Sequence, residues 1–308
     1  IKDKFDALDA LLVFLEVPIF IFCIYNDIYN CIYKYIEKVK ENHMKIITFA
    51  AIKGGVGKTT LAYNYAEWLA EHNYQVLLID LDHQCNLTQT YDVFESENTV
   101  ANIFKRKGDV AIHHLKDNID LIPGYIRLDS LEKELETKNY KDMLLYMWLE
   151  DNYEPKNLGK YDFILIDCHP DFSTATRNAV VVSHAVLSPV VPSKFGYSAT
   201  FNIQERLEEF KAETFDFKTR KSYVTADLYF LGNMIKHNTN SSRELVEQLH
   251  GNDNVLSTIP YKELFNRSTL DKVSLSEMKE DKVLYQKHKK FFDSIDCTFK
   301  TITDKIVM

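Results

Sequence analysis

Apolar residues in this chain fall into short unbroken runs. Between the runs lie stretches in which apolar positions recur every three or four residues. The first run, "KIITFAAI" at 45–52, is β-branched and aromatic and predicts a buried strand. "TTLAYNYAEWLAEH" follows, with Leu61, Tyr65, Trp68 and Leu69 at helical spacing. "QVLLIDLD" (75–82), "DNIDLIPG" (117–124), "YDFILIDCHP" (161–170), "HAVLSPVVP" (184–192), "DLYFLGNMIK" (227–236) and "VLSTIP" (255–260) read as further strands. "SATFNIQERLEEFKAE" at 198–213 reads as a helix between two of them. Strands without polar alternation, separated by helices, imply an α/β fold: a mostly parallel twisted sheet with helices on both faces. In such a sheet ligands gather at the carboxyl ends of the strands.

Two regions break the regular pattern. Residues 90–160 are rich in Lys, Asp, Glu and Asn, with helical segments around 128–136 and 143–148. They read as a helical connection within a single domain spanning 44–308 and closed by C-terminal helices. Residues 1–43 stand apart as an apolar, helical extension. "ALLVFLEVPIFIFCI" is interrupted by Glu16 and Pro18 and is shorter than the about 20 residues of a spanning helix. It lacks the basic start and small-residue cleavage site of a signal peptide. Ile28, Ile32, Tyr35, Ile36 and Val39 then follow a helical period. The extension reads as a packing helix pair, as a membrane-surface or partner-binding segment, or as sequence upstream of a natural start at Met44.

Composition narrows the chemistry. The 308 residues are 45% hydrophobic and 27% charged, an ordinary globular balance. A net charge of −8 argues against a protein built mainly to coat nucleic acid, and leaves room for a local basic patch. The five cysteines are scattered without a Cys-x-x-Cys pair. That pattern fits reduced thiols in a cytosolic protein and offers no iron–sulfur framework.

"KGGVGKTT" at 53–60 follows a strand and opens a helix, the setting in which a phosphate-binding loop is specific. Gly54, Gly55 and Gly57 let backbone amides approach phosphate oxygens, and the helix N-terminus adds its dipole. Lys58 is placed to neutralise β- and γ-phosphate charge and Thr59 to ligate Mg²⁺. Lys53 stands where a standard loop has its first glycine. Asp80 and Asp82 end "LLIDLD", and Asp167 ends "FILID". One of these acids is expected to hold Mg²⁺ through water and another to orient an attacking water.

"KGGVGKTT", "LLIDLDHQCNLT" and "YDFILIDCHP" resemble the deviant Walker A, A′ and B motifs of the ParA/MinD superfamily. "NIDLIPGYIRLDSLEKEL" and "NTNSSRELVEQL" also look like ParA proteins, and the likeness runs over 44–290. The resemblance implies a P-loop ATPase using ATP and Mg²⁺, most like the small ParA type of plasmid or chromosome partition. It implies an ATP-bound homodimer that binds DNA non-specifically. A centromere-bound ParB-like partner would stimulate hydrolysis to ADP and phosphate and release the dimer. Such a protein is cytoplasmic and nucleoid-associated.

By that likeness Lys53 is the lysine that reaches the phosphates of the facing subunit's ATP, and Lys58 is the ordinary Walker lysine. Gly54, Gly55, Val56, Gly57 and Thr60 complete the nucleotide-binding loop. Thr59 is a Mg²⁺ ligand, Asp80 lies near the metal, and Asp167 is the Walker B acid. Asp82 positions the attacking water. Asn233 and Pro260 fall where the family contacts adenine. The sequence departs from the family at "DHQCN", usually "DPQGN", and at "DCHP", usually "DCPP". His83, Cys85 and His169 therefore bear on the rate of hydrolysis. The two histidines are expected to be ordinary surface or hydrogen-bonded residues, since His is a common ligand only where other ligands converge on it.

DNA contact by the family needs only Lys and Arg on phosphates. Lys236, Arg243, Lys262 and Arg267 are the candidates near the last strands. A MinD-like membrane-associated positioning ATPase is the alternative. It would use the C-terminal segment, where Phe292, Ile295, Phe299, Ile302 and Ile306 share a helical face. Asp293, Asp296 and Asp304 weaken any attraction to anionic lipid, so a packing helix is expected and membrane binding is not. Unpaired cysteines argue against a metal-cluster carrier. The 18 spread tyrosines argue against the superfamily's tyrosine-kinase branch.

Overall fold

The computed structural model describes residues 44–193, 198–216 and 219–307. The extension at 1–43, with its three readings, lies outside them. β1 (Lys45–Phe49) is buried at every position after Lys45. It sits between β5 (Phe163–Cys168) and β6 (Ala185–Val190), parallel to both. β2 (Val76–Leu81) and β4 (Ile119–Ile122) extend the sheet on the β5 side. β7 (Asp227–Ile235) and β8 (Val255–Pro260) extend it beyond β6. With β3 (His113–Lys116) at one edge, the order is β3-β4-β2-β5-β1-β6-β7-β8. Within this sheet, among the described residues, the β3–β4 pair is antiparallel and the other pairs are parallel. Every residue of β2, β5 and β6 is buried, as strands covered on both faces require.

Helices alternate with these strands. The longer ones are α1 (Lys58–Glu71), α5 (Leu144–Asn152), α6 (Thr174–Val182), α7 (Ser198–Glu213), α8 (Asn240–Leu249) and α11 (Lys282–Val307). The others are α2 (Asn86–Thr90), α3 (Val100–Lys105), α4 (Leu128–Leu135), α9 (Glu263–Asp271) and α10 (Leu275–Met278). The expected helical segments within 90–160 appear as α4 and α5. That region is not wholly helical, however. Beside the expected strand, now β4, it adds the edge strand β3, whose sequence HHLK has neither alternation nor an apolar run.

α1 buries the face that its sequence spacing marks out: Leu61, Tyr65, Trp68 and Leu69 are all buried. Against it lies α11, whose predicted apolar face, Phe292, Ile295, Phe299, Ile302 and Ile306, is buried throughout. α11 packs on β8 and α1. Tyr65 and Phe299 rings meet at 5.3 Å, and the Tyr65 hydroxyl pairs with Thr303 Oγ1 at 2.9 Å. That bond satisfies the one polar atom the buried tyrosine carries inward. No helix among the described residues is long and apolar enough to cross a membrane.

Candidate nucleotide site at the carboxyl edge of the sheet

The chain leaves β1 at the middle of the sheet and turns through residues 50–57 into α1. Val56 is buried and fixes the loop, while Gly54 and Gly55 are exposed. Gly57 precedes α1 with φ 90°, and a Cβ there would lie 2.5 Å from Asn233 Nδ2. Both facts require glycine. Gly57 brings no capping side chain, so the first N–H groups of α1 are left for an anion. Lys58, the first residue of α1, is buried, and Thr59 and Thr60 beside it are half-buried. Lys53 takes a different course: its Nζ donates to Ser193 Oγ, just past β6, at 3.0 Å.

Strand register gathers the acids. Asp167 pairs with Asp80 across β5 and β2, and with Phe49 at the end of β1 on its other side. Both carboxylates are fully buried. Thr59 Oγ1 donates to Asp167 Oδ2 at 2.6 Å. Asp167 Oδ1 is buried and has no hydrogen-bond partner among the described residues. Burial, and then the charge of Asp80, push the Asp167 carboxyl up to about 8. A hydroxyl beside an orphaned buried carboxylate oxygen, next to a phosphate loop, suits a hard divalent cation. The residues fit Mg²⁺, with Thr59 and Asp167 to hold it.

Asp80 does something the sequence did not indicate. Its Oδ2 accepts from the Thr88 N–H at 2.9 Å and the Thr88 hydroxyl at 2.6 Å, and its Oδ1 accepts from the Asp82 N–H at 3.0 Å. Thr88 Oγ1 in turn accepts the Gly124 N–H at 2.9 Å. A Cβ on Gly124 would fall 3.0 Å from Asp80 Cγ and Cys85 Sγ. Asp80 therefore ties the end of β2 to α2 and to the segment after β4. Burial pushes it up to about 6, against the bonds from Thr88 and Asp82. Thr88, Gly124 and Ser193 were missed as site residues. The one sequence hint was a hydroxyl residue in the helix that follows a strand-end acid.

Asp82 is buried, and its Oδ1 accepts the Gln84 N–H at 2.9 Å. Cys85, where the family pattern has glycine, keeps a left-handed backbone at φ 52°, a conformation costing a non-glycine residue about 1–2 kcal/mol. Burial, then Asp80 and Asp82, push its thiol up to about 12. His83 and His169 meet across the loops after β2 and β5, with ring centroids 4.0 Å apart.

The remaining candidates lie on the β7–β8 side. Asn233 is fully buried under the phosphate loop, its Nδ2 donating to the Val56 carbonyl at 2.8 Å and its Oδ1 accepting from the Met234 N–H. It braces the loop directly. Pro260 ends β8 opposite Ile235 and is half-buried. Lys236 follows β7 with its Nζ 4.7 Å from the Tyr261 ring centre, Arg243 is exposed on α8, and Lys262 precedes α9. Arg267 pairs with Asp271 at 2.8 Å.

A family model described as an AAA domain, AAA_31, matches residues 44–219. An uncharacterised protein of Methanocaldococcus jannaschii is 30% identical over 236 residues, covering 70% of this chain and 85% of the relative. The chromosome partitioning protein ParA of Caulobacter vibrioides is 31% identical over 179 residues, covering 54% of this chain and 63% of the relative. The chain belongs to the ParA/MinD superfamily. A solved structure of a Borrelia burgdorferi protein assigned to plasmid partition, bound to AMPPNP, matches with TM-score 0.70. It is 26% identical and the match covers 85% of this chain and 99% of that one. The likeness thus spans most of the archaeal relative and under two thirds of the Caulobacter one. The ParA/MinD motifs fall on the loop after β1 and on the ends of β2 and β5, three adjacent strands.

Proposed function

We propose that this chain is a partition ATPase that binds ATP with Mg²⁺, closes into a homodimer, and binds DNA non-specifically in that state. Hydrolysis, stimulated by a ParB-like partner, releases it. Two features at one loop carry the reading: a second lysine, Lys53, and the cation seat of Thr59 with Asp167. Loop amides and Lys58 hold the phosphates of the chain's own nucleotide. Mg²⁺, when bound, would neutralise charge on the phosphate oxygens. Asp82, whose Oδ1 accepts the Gln84 N–H, is the acid assigned to orient the attacking water. Among the described residues, Lys53 Nζ bonds a half-buried serine, Ser193, an easily exchanged partner. Released, its long side chain is able to reach the phosphates of a facing subunit and stabilise charge in the transition state.

The test compares DNA retention with ATP, with ADP and for Lys58→Ala. Retention only for the wild type with ATP is expected, and equal retention in all three would sink the nucleotide switch. Lys53→Ala should still bind AMPPNP but lose ATP-dependent dimerisation or turnover. Normal dimerisation and turnover in that variant would reduce the loop to an ordinary phosphate site. The MinD-like alternative needs the apolar face of α11 on lipid, and that face is buried against β8 and α1.

A further inference from the structure

His83 and His169 have no part in the reading above, yet the fold brings them together. β2 and β5 are neighbours, with Leu81 opposite Cys168 at their ends. The loops that leave them carry His83 and His169, whose rings lie 4.0 Å apart at a 36° tilt. One ligand atom from each of Asp82, His83 and His169 lies within 4.8 Å of the other two. Asp82 is buried, unlike the exposed acids that cluster without consequence on protein surfaces. His169 Nδ1 is 3.0 Å from Asp171 Oδ2. That carboxylate orients the ring and leaves Nε2 for a ligand, the arrangement that supports metal-bound histidines.

We propose that Asp82, His83 and His169 form a binding site for a borderline divalent transition-metal ion of Zn²⁺ type, separate from the Mg²⁺ seat at Thr59 and Asp167. Two imidazoles and one carboxylate suit such an ion, with water as the fourth ligand. Mg²⁺ prefers an all-oxygen shell and competes poorly there. Metal–nitrogen bonds of about 2.0–2.1 Å place tetrahedral ligand atoms about 3.4 Å apart. The three groups must therefore close by little more than an ångström, within reach of rotation by two half-buried imidazoles. The nearby Cys85 is outside the group of converging ligand atoms and its Sγ donates to the His83 carbonyl at 3.8 Å, so the donor set is nitrogen and oxygen. A metal here bridges the loops after β2 and β5 and occupies an oxygen of Asp82. Through that oxygen it would slow hydrolysis, a consequence that rests on the ATPase reading. Binding itself does not.

The test titrates Co²⁺ into the full chain without nucleotide, followed by visible absorption, and Zn²⁺ by equilibrium dialysis. Wild type, His83→Ala, His83→Gln and His169→Ala are compared in millimolar Mg²⁺, with circular dichroism and AMPPNP binding measured on the same samples. One ion per wild-type chain is expected, with a d–d band and no thiolate charge-transfer band. Each variant should lose at least about tenfold in affinity while keeping its fold. Absence of stoichiometric binding, equal affinity in folded variants, or a thiolate band would each overturn the proposal. AMPPNP binding reports the nucleotide site independently, so failure of one reading is distinguishable from failure of the other.

Discussion

Asp80 and Asp167 face each other across β2 and β5, and both are held above the ordinary carboxylate range, to about 6 and about 8. The sign of the stability effect follows. In the unfolded chain both ionise near pH 4, whereas in the fold they stay protonated until the pH passes their raised values. Their contribution is therefore complete below about pH 4 and is lost as pH rises through about 6 and then about 8. The urea midpoint of the nucleotide-free protein should fall between about pH 5 and about pH 8.5 by this pair's contribution. Asp167→Asn, which cannot ionise, should flatten the fall, and Mg²⁺ with AMPPNP should shrink it by favouring the charged form. A decline of equal steepness in Asp167→Asn would remove this pair as its source. Asp167 was legible as a strand-end acid because its position alone implies exposure to a ligand. The work of Asp80 was not, because its partners Thr88 and Gly124 are set by tertiary contacts that no local pattern encodes.

Among the elements, the buried strands and α1 were legible because burial on both faces leaves an unbroken apolar run, and burial on one face leaves a helical stripe. β3 was not legible. As an edge strand it is only partly buried, with Leu115 its one apolar residue against the core, and its backbone pairing to β4 leaves no mark on HHLK. α11 lies between these cases: its stripe was plain, but packing and lipid contact write the same stripe. The structure separates them through Phe299, which lies against Tyr65 and Trp68 of α1 with ring centroids 5.3 and 6.1 Å away. Phe299→Ala should cost about 3–5 kcal/mol of unfolding free energy, read by urea denaturation. Lipid contact instead predicts little change in stability and a loss of vesicle binding. A variant with wild-type stability would show that this face is not part of the core.

For the whole molecule, charge sets the terms of any DNA contact. Each chain carries −8, so a dimer carries 2 × −8 = −16. Such a body is repelled by DNA at long range, though charges more than about 8 Å apart are largely screened at physiological salt. On the partition reading, retention on DNA therefore requires cations concentrated at one face. Lys236, Arg243, Lys262 and Arg267 lie on segments that follow β7 and β8 or on α8 and α9, all on one side of the sheet order. Arg267 shares its charge with Asp271 and must exchange that partner for phosphate, so it should contribute least. If all four engage in each chain of a dimer, the logarithm of the binding constant should fall against the logarithm of salt with a slope of about −7. Replacing all four with alanine should leave the ATP-dependent dimer intact by light scattering and bring that slope close to zero. Replacing Arg267 alone should change it by less than one. An unchanged slope in the fourfold variant would place the DNA contact on another face of the dimer.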